Sequence, residues 1–229
     1  MNEIMFIGSL VVYAALIIGA CKLGKEFVFA FGTFNIVASN AVVGYEIEIF
    51  GFTTLWIVLL YCMNFLAINC LTEFYSKRDA IRYVLNMAGM QFLFYLFILT
   101  SGWLTLEGDG KYKEAVDVVF AATPRVTLAA VLSHMLLFID ANIYKFFKDK
   151  EGKGWYGQLW FRATLSALVT HFLLTILFFC VAFYGTLPNG VLVSIIVSNL
   201  IIKYALSFAE TPLMYVARFF MGGKTKPYV

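Results

Sequence analysis

The stretch "LWFRATLSALVTHFLLTILFFCVAFYG", residues 159–185, contains a single Asp, Glu, Lys or Arg, namely Arg162. Its apolar residues run on without every-second-residue alternation, and a run of about 18 or more such residues marks a transmembrane helix. A membrane β-barrel needs alternating segments of about ten residues. Neither "LLTILFFCVAF" (173–183) nor "FLFYLFIL" (92–99) alternates. Runs of this kind recur along the 229 residues, which are 62% hydrophobic and 14% charged. Soluble domains are about half apolar and a quarter charged, so this chain has too little polar surface to cover a soluble fold.

The expected fold is an all-α integral membrane protein, one polytopic domain over residues 1–229. Seven spans are expected, at 4–21, 27–44, 52–71, 83–106, 124–147, 160–184 and 190–218, a six-span core with an extra N-terminal helix. Thr123 can cap the fifth span, and Pro124 suits its first turn, where the missing N–H costs nothing. The preceding "KYKEAVDVVFAA" (111–122) reads as a short surface helix. With seven spans, thirteen of the 17 Lys and Arg fall on one side, and only Lys111 and Lys113 on the other. Arg125 and Lys203 lie within spans. The positive-inside rule then puts the N-terminus outside and the C-terminus in the cytoplasm. The net charge of +3 is explained by topology, without a nucleic-acid partner. Cys21, Cys62, Cys70 and Cys180 have no metal or redox spacing and read as packing residues.

Ionisable groups in a bilayer core cost at least about 2.5–3.5 kcal/mol on insertion scales, so they face the interior, pair, or line a path. The second span carries Asn35, Ser39 and Asn40; the third carries Asn64 and Asn69, with Glu73 at its end. Glu73 either pairs with Lys77 four residues on or serves a ligand or gate. The fifth span holds Arg125, Ser133, His134, Asp140 and Asn142. In the sixth, Thr164, Leu168, His171 and Thr175 advance by four, three and four and share one face. In the seventh, Asn199, Lys203, Ser207 and Glu210 form one polar stripe on an apolar helix. Pro212 removes a helical hydrogen bond just beyond it.

Three classes of function are open to such a bundle. An enzyme needs a nucleophile–base pair or a metal cluster; the two histidines and the absence of a metal motif give that class no positive sign, and no cofactor is expected. A structural protein predicts interior polar residues without a common face, or a Lys203 ion pair that only joins helices. Transport fits the stripe best.

Four stretches also resemble the queuosine precursor transporter family, also called the vitamin uptake transporter family. "NIVASNAVVGYEIEIFG" (35–51) leading to "NCLTEFYSKRDAIR" (69–82) is similar to its Asn-bearing helix and its Asp-x-x-x-Glu-x-Tyr-Gly-Lys-Lys motif. "TPRVTLAAVLSHMLLFIDANIYKFFK" (123–148) is similar to its Pro-Arg helix ending in an Asp. Residues 159–185 resemble its Arg-Asn helix. "KYALSFAETPLMYVAR" (203–218) resembles its Lys…Asp/Glu-Thr-Pro-x-x-Tyr ending. The resemblance implies a multi-pass importer in a bacterial or archaeal cytoplasmic membrane, with a 7-deazaguanine base as cargo: queuine, or the cyano or aminomethyl precursor of queuosine in tRNA. The alternative is a substrate-binding subunit for another small vitamin- or purine-like solute, served by a separate energising ATPase. Oligomeric state and energy coupling stay open.

On this resemblance Asn40, Asn69, Glu73, Arg125, Asp140, Arg162, His171, Lys203 and Glu210 occupy substrate-binding positions. Glu73 or Glu210 would accept the N–H pair of the guanine-like edge, Lys203 would hold a carboxylate or meet the ring carbonyl, and aromatic side chains would stack the ring. By this resemblance the chain looks like a diverged member. Asn69 stands for the motif's Asp, Ala163 for the Asn after Arg162, His171 for a Gln, and Leu174 for an Asp. Leu137, Phe138 and Ile139 replace a Gln or His cluster.

Overall fold

A computed structural model describes residues 1–42, 45–101 and 111–222, with 111–123 described through the backbone alone. Its helices are α1 (Asn2–Leu23), α2 (Lys25–Ala41), α3 (Ile57–Phe74), α4 (Lys77–Ser101), α5 (Lys111–Lys148), α6 (Leu159–Phe183) and α7 (Asn189–Phe220). All but α2, which has 17 residues, are long and apolar enough to cross a membrane. Apolar side chains stay exposed on the outer helices, among them Val11, Leu93, Phe97, Phe172, Val193 and Phe208. In lipid that surface needs no cover.

The organising element is α3. Every residue from Val58 to Phe74 is buried, the condition of a helix surrounded on all sides. It packs against α1, α2, α4, α5 and α7, so its polar residues are interior residues. Polar side chains hold it there. Asn35 of α2 donates to Asn64 Oδ1 at 3.0 Å, and the Tyr83 hydroxyl of α4 donates to the same oxygen at 2.9 Å. Helices α2 and α4 approach closely at Gly32, where a Cβ would stand 2.5 Å from the Tyr83 ring and 2.8 Å from Met87 Sδ. A small residue at the crossing is what permits this.

Two expectations are corrected. The third span was expected from residue 52, but β1 (Glu46–Ile49) and β2 (Phe52–Leu55) pair as an antiparallel hairpin, and the helix starts at Ile57. Phe50 and Gly51 both have positive φ, 51° and 78°, as a two-residue hairpin turn requires. Ile49 and Thr54 are buried, and Thr54 Oγ1 bonds Asn199 Oδ1 of α7 at 3.1 Å. The hairpin is therefore folded onto the bundle. The fifth span was expected to begin at Pro124 behind a Thr123 cap, with 111–122 as a separate surface helix. The part of α5 apolar enough to cross a membrane is Pro124–Lys148, as expected, but the helix has no break there and runs through Pro124 from Lys111. A proline removes only one i→i−4 bond, a loss that long membrane helices tolerate. Residues 43–44 and 102–106, expected to end the second and fourth spans, lie outside the described residues.

Candidate functional site

Two groups of buried polar residues occupy the bundle. The first closes one end of α3. Glu73, fully buried, faces Arg162 of α6, whose Nη2 lies 2.8 Å from both carboxylate oxygens. The Tyr144 hydroxyl of α5 donates to Glu73 Oε2 at 3.1 Å. Lys148 Nζ, one turn further along α5, donates to the carbonyls of Thr72 and Glu73 at 2.7 and 2.6 Å, placing a cation on the C-terminal end of α3.

Arg162 also donates to Gly157 O at 2.9 Å and pairs with Glu151 at 3.2 Å; Glu151 in turn meets Arg218 of α7 at 3.1 Å. Burial opposes the Glu151 charge, but Arg162 and Arg218 outweigh it and hold the carboxyl below the usual carboxylate range. The network ties α3, α5, α6, α7 and the 149–158 connection together. Glu73 thus has Arg162, Tyr144 and Lys148 as partners, and not Lys77, one of the two alternatives open for it. Its acceptor positions are occupied by protein donors.

The second group lies deeper, between α3, α5, α6 and α7. The expected stripe on α7 is there: Asn199, Lys203, Ser207 and Glu210 are all buried. Lys203 Nζ donates to Thr175 Oγ1 of α6 at 2.9 Å and stands 5.6 Å from the centre of the Tyr61 ring. Among the described residues no salt bridge joins Lys203 to any carboxylate, Glu210 included, so the alternative of a Lys203 ion pair that only joins helices is not seen. Both carboxylate oxygens of Glu210 are buried without a hydrogen-bond partner, and so are both of Asp140.

The two carboxylates lie within electrostatic range of each other. Cys62 is in range of Glu210 and Lys203 and sits 3.9 Å from His171 Nε2. The His171 ring packs on Phe65 with centroids 3.9 Å apart, and its Nδ1 has no partner; neither do Asn69 Oδ1 and Thr170 Oγ1. Buried polar groups are nearly always hydrogen-bonded, so each of these open groups calls for an explanation.

Room in this interior is small. A narrow cavity lined by Leu55, Val58, Tyr61, Leu174, Phe178, Asn199 and Lys203 leads from the hairpin end towards the lysine and holds about 20 Å³. That suits one water, whereas small-molecule pockets measure about 300–1,000 Å³. A ring-sized ligand enters only if α3, α6 and α7 move apart.

Of the nine candidate positions, Asn69, Asp140, His171, Lys203 and Glu210 fall in this interior, and Glu73 and Arg162 pair with each other at its end. Asn40 and Gln91 exchange amide hydrogen bonds at 3.0 and 3.1 Å between α2 and α4. Arg125 is exposed and donates to Val181 O and Tyr184 O, both at 2.6 Å, capping the end of α6. An Arg125→Ala substitution is expected to cost about 1 kcal/mol of stability, as a lost helix cap does, while uptake per folded molecule stays near wild type. Thermal inactivation in detergent and a transport assay check the two parts.

Sequence reasoning passed over Tyr144, Lys148, Gln91, Tyr61 and Phe65 as partners. Their sequence signal is weak, since each is an ordinary residue of an apolar or basic run.

The family described as "Putative vitamin uptake transporter" matches residues 56–217, from the residue before α3 to nearly the end of α7. A protein of Bacillus subtilis (strain 168) named "Probable queuosine precursor transporter" is 28% identical over 202 residues, 85% of each chain. No solved structure matches. The matched region contains the ion network and the buried Lys203–Glu210 stripe alike, and the chain belongs to the vitamin uptake transporter family, as a multi-pass transporter of the cell membrane.

Proposed function

We propose that this protein imports queuine or a related 7-deazaguanine base across the cytoplasmic membrane for queuosine modification of tRNA. The whole chain would act as one transport domain, with its N-terminus outside and its basic C-terminal side in the cytoplasm. The observation that carries the reading is Glu210: a buried carboxylate with no protein donor, on the same helix face as Lys203.

The guanine-like edge of such a base offers two adjacent N–H donors beside one carbonyl acceptor. A carboxylate accepts the donor pair in a bidentate arrangement, and an ammonium meets the carbonyl. Glu210 and Lys203 are seven residues apart, about 10.5 Å along a helix, so their side chains can reach the edge from opposite ends. Phe65 and Tyr61 offer flat faces for the ring. The relative from Bacillus subtilis, by its name, points to the same cargo class.

The test uses a bacterium that neither makes the base nor carries its own importer. Expressing this protein and supplying queuine or a precursor base at low concentration should restore queuosine in tRNA. Queuosine no higher than with an empty vector, for every base and with the protein present in the membrane, contradicts the reading.

A further inference from the structure

We infer that the interior is matched to a cationic cargo: a 7-deazaguanine whose 7-substituent carries a protonated amine is taken in preference to one bearing a neutral nitrile. This rests on the cargo reading above and deepens it. At the end of the bundle, Glu73 and Glu151 are answered by Arg162, Lys148 and Arg218. The deeper interior holds two carboxylates, Asp140 and Glu210, against one lysine, Lys203, and two histidines, His134 and His171.

Glu210 accepts no hydrogen bond from the protein, and Ser166, beside Asp140, donates to Ala163 O instead. The guanine-like edge occupies one of the two carboxylates. Glu210 is the better placed for it, since it shares the α7 face with Lys203. Asp140, on α5, then remains open across the interior, with Ser166 of α6 as its polar neighbour. A buried carboxylate left without a donor is unfavourable. An ammonium on the 7-substituent supplies both the donors and the missing positive charge. A nitrile brings only an acceptor lone pair and leaves Asp140 unpaired, so selectivity arises from an unmet group as much as from a made bond.

The experiment measures initial uptake of the radiolabelled aminomethyl base and of the radiolabelled cyano base, in cells lacking other importers. The aminomethyl base should half-saturate at a concentration at least about tenfold lower, the scale of one charge-assisted hydrogen bond. Asp140→Asn should bring the two concentrations together by weakening uptake of the aminomethyl base, and Asp140→Glu should keep the preference. Equal use of the two bases by the wild type, or a preference for the cyano base, overturns the inference even if Asp140→Asn never reaches the membrane. So does an Asp140→Asn protein that weakens both bases alike. Uptake of neither base by the wild type overturns the cargo reading itself and this inference with it.

Discussion

Glu73→Gln should destabilise the protein by about 3–5 kcal/mol, the cost of breaking a buried ion pair by removing one partner. Arg162 is wholly buried and both Glu73 oxygens lie 2.8 Å from its Nη2. A neutral amide leaves the guanidinium without its main counter-charge and turns one acceptor into a donor aimed at other donors. Tyr144 and Lys148 lose their charged neighbour at the same time. Survival of the folded protein after stepwise heating in detergent, followed by size exclusion, measures the effect. The double variant Glu73→Gln/Arg162→Leu should be less damaging than the two single losses added together, because the orphaned charge is gone. Strict additivity would mean that the pair does not act as a unit.

Lys203→Met and Glu210→Gln should each lower uptake by about 100-fold, since each removes charged hydrogen bonds of about 1.5–3 kcal/mol apiece. Stability should change far less. Lys203 has one hydrogen-bond partner, Thr175, and the Tyr61 ring beside it, both neutral, and Glu210 has no hydrogen-bond partner. A lysine that only joined helices would show the opposite pattern, with stability falling and transport per folded molecule unchanged. Initial uptake rates normalised to folded protein in the membrane separate the two cases. Unchanged uptake in both variants would reduce the α7 stripe to a packing feature.

The stripe was legible in the sequence because its logic is local. Residues 199, 203, 207 and 210 advance by four, four and three, and in a helix that spacing has one outcome. The apolar runs likewise announced the helices. The Glu73–Arg162 pair was not legible, because its members stand 89 positions apart and a nearer lysine, Lys77, offered a plausible local partner. The hairpin was hidden for another reason. Phe52 to Leu55 extend an apolar run, so they read as the first turn of a span, although the Phe50–Gly51 turn and the alternating "EIEI" before it carry the hairpin pattern. Pro124 marks the start of the membrane-crossing stretch but not of the helix: proline favours a first helical turn, yet a long helix can carry one inside. Arg125 followed from family position alone, and only the fold shows it holding the last carbonyls of α6.

If the interior around Lys203, Glu210 and Asp140 holds the cargo, the purified protein binds it there. Equilibrium binding of a radiolabelled 7-deazaguanine base to the purified protein tests it most directly, comparing wild type with Glu210→Gln. The expected result is one saturable site per chain in the wild type, and loss of that site in a Glu210→Gln protein that remains folded. Equal affinity in the two proteins contradicts it.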